Sequence, residues 1–148
     1  MKKMSVMGLL MMAAFAVQAQ DELTIYSLAS DSATKGAFAT MVKGHSLPAW
    51  VTQGATSTPA RAVKIDGKEY QVLQSCKPHD CGSERMAVIY SPQDKTLSGV
   101  FSTVNDEKGS ETLQWLNISD ELSIDGKTVL FAALSGSLGN HPDAFNYQ

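Results

Sequence analysis

From residue 61 to residue 116 the chain reads as strand after strand, with turn chemistry between them. Residues 61–65 (RAVKI) alternate in the manner of a strand. Asp66-Gly67 follows as a two-residue hairpin signal, and 69–74 (EYQVLQ) returns as the partner. Residues 84–90 (ERMAVIY) put Met86, Val88 and Tyr90 on one face and Ala87 and Ile89 on the other. After a turn at 92–95, residues 95–104 carry Leu97, Val100, Phe101 and Val104. A polar turn over 105–110 leads into 111–116 (ETLQWL) as the last strand. A run of strands with helices only at its ends predicts an α+β fold around a central antiparallel sheet of about five strands.

Short amphipathic helices are expected on either side of that run. Ser30-Asp31-Ser32 offers side chains that accept from the free N–H groups of a first helical turn. Ala33, Ala37, Phe38, Met41 and Val42 then recur near helical spacing, and Lys43 with Gly44 closes the segment, which predicts a helix over 31–43. Asp125 is the expected N-cap of a second helix over 126–134, with Val129, Leu130, Ala133 and Leu134 as its apolar side and Gly136 as its stop. A short helical turn is expected over 119–122. One face of the sheet needs cover, and the two helices are expected to supply it. Residues 21–28 fit neither period. Pro48 breaks 45–51, where Leu47, Trp50 and Val51 are expected on the core, and 52–59 reads as loop. The tail from 139 is loop-like, with Phe145 and Tyr147 tucked back. Trp50 and Trp115 are expected in the core, Arg85 and Lys64 as solvated strand residues, and His141 exposed.

The N-terminus reads as a secretory leader. Lys2 and Lys3 precede an apolar run over 6–17, and Val17-Gln18-Ala19 offers the small residues that a signal peptidase reads. The expectation is a signal peptide over 1–19, cleaved after Ala19, and a single domain over 20–148. The run is too short for a membrane anchor. The formal charge of −3 becomes −5 once the two leader lysines leave and no acid goes with them. That balance argues against a nucleic-acid partner, whose phosphates need clustered cations.

The chain's two cysteines lie in one hexapeptide, Cys76-Lys77-Pro78-His79-Asp80-Cys81, at the turn between two strands at the edge of the sheet. Export puts them in an oxidising compartment, so a disulfide is the default. Pro78 fixes its own φ and pushes Lys77 towards an extended conformation. The ring would be stiff and exposed, with His79 near its tip. Other chemistries fit less well. A zinc site could draw on Cys76, His79, Cys81 and Asp80, but the second ligand pair of such sites is missing. Thioredoxin-like chemistry wants two residues between the cysteines, and here there are four. No nucleophile elbow or His-Glu-x-x-His motif occurs. A staple with no further meaning stays open.

The hexapeptide, following an exported α+β beginning, closely resembles the signature of the inhibitor of vertebrate lysozyme family of Gram-negative bacteria. The resemblance implies a periplasmic, non-enzymatic inhibitor of C-type lysozyme that needs no cofactor or metal. Its disulfide-closed loop would protrude into the enzyme's cleft. His79 would then sit between the two catalytic carboxyl groups. Asp80 would orient that imidazole or bond the cleft wall, Lys77 and Pro78 would shape the loop, and the Cys76–Cys81 bond would pre-organise it. The acidic mature charge would complement a basic lysozyme, speeding association in a salt-sensitive way. An alternative target is the bacterium's own lytic transglycosylases, and self-association is compatible with the sequence. From another class, a periplasmic structural or stress protein with an incidental disulfide would leave His79 dispensable.

Overall fold

The computed structural model describes residues 22–148; the expected leader and its cleavage site lie outside the described residues. The elements run α1 (Ile25–Ser30), α2 (Lys35–Val42), a 3-10 turn (Ala49–Thr52), β1 (Thr56–Ser57), β2 (Arg61–Ile65), β3 (Lys68–Cys76), β4 (Glu84–Ser91), β5 (Thr96–Asn105) and β6 (Ser110–Leu116). A 3-10 turn (Asp120–Leu122), α3 (Asp125–Ser135) and α4 (Ser137–Asn140) complete the chain. The sheet order is β1-β3-β4-β5-β6, with β2 also on β3, and every strand pair is antiparallel. The connections between consecutive strands are too short for a parallel crossover. Asp66 and Gly67 both take positive φ, 50° and 73°, as the expected two-residue hairpin turn requires.

The N-terminal helices differ from expectation in a way that local hydrogen bonds explain. Residues 21–28, ambiguous by period, contain most of α1. Thr24 Oγ1 accepts from the Ser27 backbone N–H, and Ser27 Oγ accepts from the Thr24 N–H, each at 3.0 Å, a closed capping box. Asp31 then ends this helix instead of opening the next: its N–H bonds Ser27 O, and its carbonyl accepts from Thr34 and Lys35. The second helix therefore begins at Lys35, four residues later than the start signal implied. At the other end Asp125 is the first helical residue, not the cap; Ile124 precedes it without a side-chain cap bond. The acid still lies in the first turn, where the helix dipole favours it. Gly136 closes α3 at φ 84°.

The layer arrangement corrects a further expectation. The helices do not share one face of the sheet; they cover both. On one face α3 sets Val129, Leu130 and Leu134 against Val72, Ala87, Ile89 and Val100. On the other, α1, α2 and the first 3-10 turn set Ile25, Leu28, Phe38, Met41 and Val51 against Leu73, Met86, Val88 and Phe101. The predicted split of β4 into two apolar faces holds, because each face has its own helical layer. Burying one such side chain contributes about 1.5–3 kcal/mol, which makes β4, buried through most of its length, the centre of the fold. Gly99 on β5 lets α2 approach closely: a Cβ there would stand 2.8 Å from the Ala87 carbonyl oxygen and 3.3 Å from Met41 Sδ.

The free edge of β2 is covered by the chain's own tail. Tyr147 N–H donates to Lys64 O, Asp66 N–H donates to Tyr147 O, and Asn146 Oδ1 accepts from Lys64 N–H. Tyr147 and Phe145 pack on the α3-side core, as expected. Covering these edge groups blocks pairing with another chain at this end of β2. Among the described residues no helix is long and apolar enough to cross a membrane.

Candidate functional site: a disulfide-closed projection

The hexapeptide connects β3 to β4. These are interior strands, so the ring projects from the end of the sheet's centre and not from an edge strand. Pairing runs up to Cys76 opposite Arg85, after which Lys77 N–H donates to Glu84 O at 3.0 Å. The cysteines are bonded to each other with Cα atoms 4.8 Å apart. Neither therefore has a thiolate to offer a metal or a substrate.

Within the ring the backbone makes a tight turn over Lys77-Pro78-His79-Asp80. Asp80 N–H donates to Lys77 O at 3.1 Å, and His79 has φ 63°. Proline at the second position and positive φ at the third is the pattern of a type II turn, where the third position ordinarily belongs to Gly or Asn. A side chain held in that region costs about 1–2 kcal/mol. The chain accepts this cost at an exposed residue of the projection. A second turn follows, with Ser83 N–H and Oγ both donating to Asp80 O at 3.2 Å.

The ring is buried at its root and open at its tip. Cys76 is buried and Lys77 half-buried, while Pro78, His79, Asp80 and Cys81 are exposed. No hydrogen bond among the described residues joins the Asp80 carboxylate to the His79 imidazole. Both side chains are free to meet a partner, and Asp80 holds the turn through its backbone. The structure thus brings all six sequence-predicted residues into one convex feature, whose stiffness comes from the ring, Pro78 and three backbone hydrogen bonds.

The root carries contacts that sequence reading missed. Arg85, expected as a solvated residue, is three-quarters buried; its Nη1 donates to Leu134 O at 2.9 Å and its Nη2 to Glu111 Oε1 at 3.1 Å. The same Glu111 oxygen accepts from the fully buried Ser102 hydroxyl at 2.6 Å. On the opposite face Trp50 Nε1 donates to Glu84 Oε2 at 2.6 Å, and its ring lies 6.0 Å from that of Phe101. Trp50 and Trp115 are half-buried and not sealed in the core as expected; Trp115 lies beneath Lys127, 5.2 Å from its ring centroid. Val104 N–H donates to Ser83 O at 2.8 Å, which ties the end of β5 to the loop's exit.

Residues 33–131 match the family model described as "Inhibitor of vertebrate lysozyme (Ivy)". That span includes the hexapeptide, every strand and most of α3. The chain is 56% identical over 135 residues to the "Inhibitor of vertebrate lysozyme" of Escherichia coli strain K12, covering 91% of this chain and 86% of the relative. It is 30% identical over 92 residues to the protein of the same name from Pseudomonas aeruginosa, covering 61% of this chain and 60% of that one.

Proposed function

The chain belongs to the inhibitor of vertebrate lysozyme family, and on that premise we propose that it is an exported, periplasmic inhibitor of C-type lysozyme that acts by placing the Cys76–Cys81 loop in the enzyme's active-site cleft. The observation that carries the reading is the exposed His79 at the third position of a proline-set turn inside a closed ring. A lysozyme of this class works with two carboxyl groups, one a protonated acid and one ionised. An imidazole entering between them can donate to one and accept from the other, or pair as a cation with the ionised group. Asp80, exposed beside it, would orient that imidazole or bond the wall of the cleft.

Binding of this kind is favoured by order already present in the free protein. A flexible loop would lose about 1–2 kcal/mol of backbone entropy per residue on entering a cleft. Here the ring and its turn have met that cost during folding. The mechanism turns nothing over and calls on no cofactor. The relatives' names speak for lysozyme as the target, and no feature of the loop favours lytic transglycosylases over it.

The test is lysis of bacterial cell walls by a C-type lysozyme, with the mature protein added at rising molar ratio beside His79→Ala. Inhibition near equimolar ratio is expected for the wild type. The variant should bind weaker by about 2–5 kcal/mol, the usual loss when one partner of a buried charged hydrogen bond is truncated. Undiminished inhibition by His79→Ala would remove the imidazole from the mechanism; no inhibition by the wild type would remove lysozyme as the target.

A further inference from the structure

We propose that Trp50 and Arg85 are positioning residues that set the angle and stiffness of the loop from its root, without touching the enzyme it enters. The inference deepens the inhibitory reading and rests on it for its binding arm. Its ground is an asymmetry in how the two ends of the loop are held. The entering strand reaches Cys76 with β1 beside it, through Thr56 opposite Cys76. The leaving strand begins with Glu84 and Arg85, consecutive residues whose side chains go to opposite faces of the sheet. Each is caught by the helical layer on its own face. Glu84 accepts from Trp50 of the first 3-10 turn. Arg85 donates to the carbonyl of Leu134 in the last turn of α3, and to Glu111 on β6.

The chemistry suits a fixed anchor. The Leu134 carbonyl lies among those a helix leaves unbonded at its C-terminus, where a cation is also favoured by the dipole. The guanidinium spans two acceptors in a rigid plane, a geometry an ammonium cannot copy. Glu111 is held in turn by the Ser102 hydroxyl, so the acceptor is itself fixed. On the other face the Trp50 indole packs against Phe101 while its N–H bonds a carboxylate. The first two residues of β4 are therefore clamped front and back, directly beside the Lys77 N–H to Glu84 O bond that closes the ring's root. Loosening either side frees the root to tilt and leaves the ring itself closed.

A positioning role has a kinetic signature that a contact role lacks. If a fraction of molecules carries the loop in a competent pose, apparent affinity scales with that fraction. The loss then falls on the association rate, and the bound complex dissociates as before. Trp50→Phe keeps the ring on Phe101 and deletes the N–H; Arg85→Lys keeps the charge and deletes the fork. Binding of a C-type lysozyme to each variant and to the double variant is followed by surface-captured kinetics, with amide hydrogen exchange of the free proteins alongside. The expected result is association about threefold to tenfold slower for each single variant, more for the pair, unchanged dissociation, and faster exchange confined to residues 77–83. Unchanged association, a rise in dissociation alone, or faster exchange spread evenly over β3 to β5 would each overturn the proposal. Should the wild-type protein fail to bind lysozyme, the family reading of the target falls, while the exchange experiment still decides whether Trp50 and Arg85 hold the loop.

Discussion

Opening the ring should cost stability and affinity by separate amounts, and the structure gives both. Cys81→Ser is the suitable change, because Cys81 is exposed while Cys76 is buried and can remain as a small apolar thiol. The bond joins residues five apart in sequence. The chain-entropy relation for so short a loop gives about 2 kcal/mol of lost stability. At about 4 °C per kcal/mol for a domain of this length, the melting temperature should fall by roughly 8 °C. The effect on binding has another origin. Without the bond, the turn that holds His79 at positive φ keeps its Lys77–Asp80 and Lys77–Glu84 hydrogen bonds but loses its closure. Freeing one or two residues at about 1–2 kcal/mol each predicts a loss near 2 kcal/mol, roughly thirtyfold in the inhibition constant. Calorimetry of the free variant measures the first quantity, and titration of lysozyme activity at 25 °C, where the variant remains folded, measures the second. A variant that melts 8 °C lower yet inhibits as tightly as the wild type would reduce the disulfide to a staple and refute pre-organisation. Equal melting temperatures would refute the account of the ring as a constraint on the unfolded chain.

Two further outcomes test the scaffold. Gly99→Ala should destabilise by about 1–3 kcal/mol, read as a lower urea midpoint at unchanged slope, because the added carbon meets the backbone carbonyl of Ala87, which cannot rotate away as a side chain would; a midpoint equal to the wild type's would mean that α2 and β4 have room to part. The protein should also lose stability in alkali: Lys68 has its pKa raised above the ordinary 10.5, chiefly by its hydrogen bond to Asp94, and burial raises that of Tyr70 above 10.0. Both groups hold protons in the fold that the unfolded chain releases, so their contribution is complete below about pH 10 and declines as pH rises through the folded values. Asp94→Asn should flatten that decline in urea midpoints taken from pH 8 to 11, because the Asp94 charge holds both groups up, and an identical slope would show that the Lys68–Asp94 pair adds nothing.

What the sequence made legible follows the range of the interactions involved. The Asp66-Gly67 turn, the two faces of β4 and the Gly136 stop are written in adjacent residues, and each is where it was expected. The same holds for the ring, whose cysteines, proline and histidine are all within six residues. The start of α2 was misplaced because the polar signal at Ser30-Asp31-Ser32 serves equally to end one helix or begin another, and the Thr24–Ser27 capping box had already opened the earlier one. The two-sided cover escaped because period alone reports that a strand is apolar on both faces without saying which helix meets which face.

The loop's root escaped for a stronger reason. Trp50 is 34 residues from Glu84, and Leu134 is 49 from Arg85. Only the folded sheet brings these partners to the end of β4. An inhibitor built this way divides its function between two scales. On the proposed mechanism, the chemistry that would meet the enzyme is local, compact and readable as a motif, because it would be carried by a few exposed side chains in one turn. The direction in which that turn points is non-local, because a projection from the centre of a sheet can be aimed only by whatever packs on the two faces beneath it. Substitutions in the hexapeptide should therefore change what the loop bonds once it has arrived, and substitutions at its root should change how often it arrives. That division is why Trp50 and Arg85 are expected to act on association and His79 chiefly on dissociation.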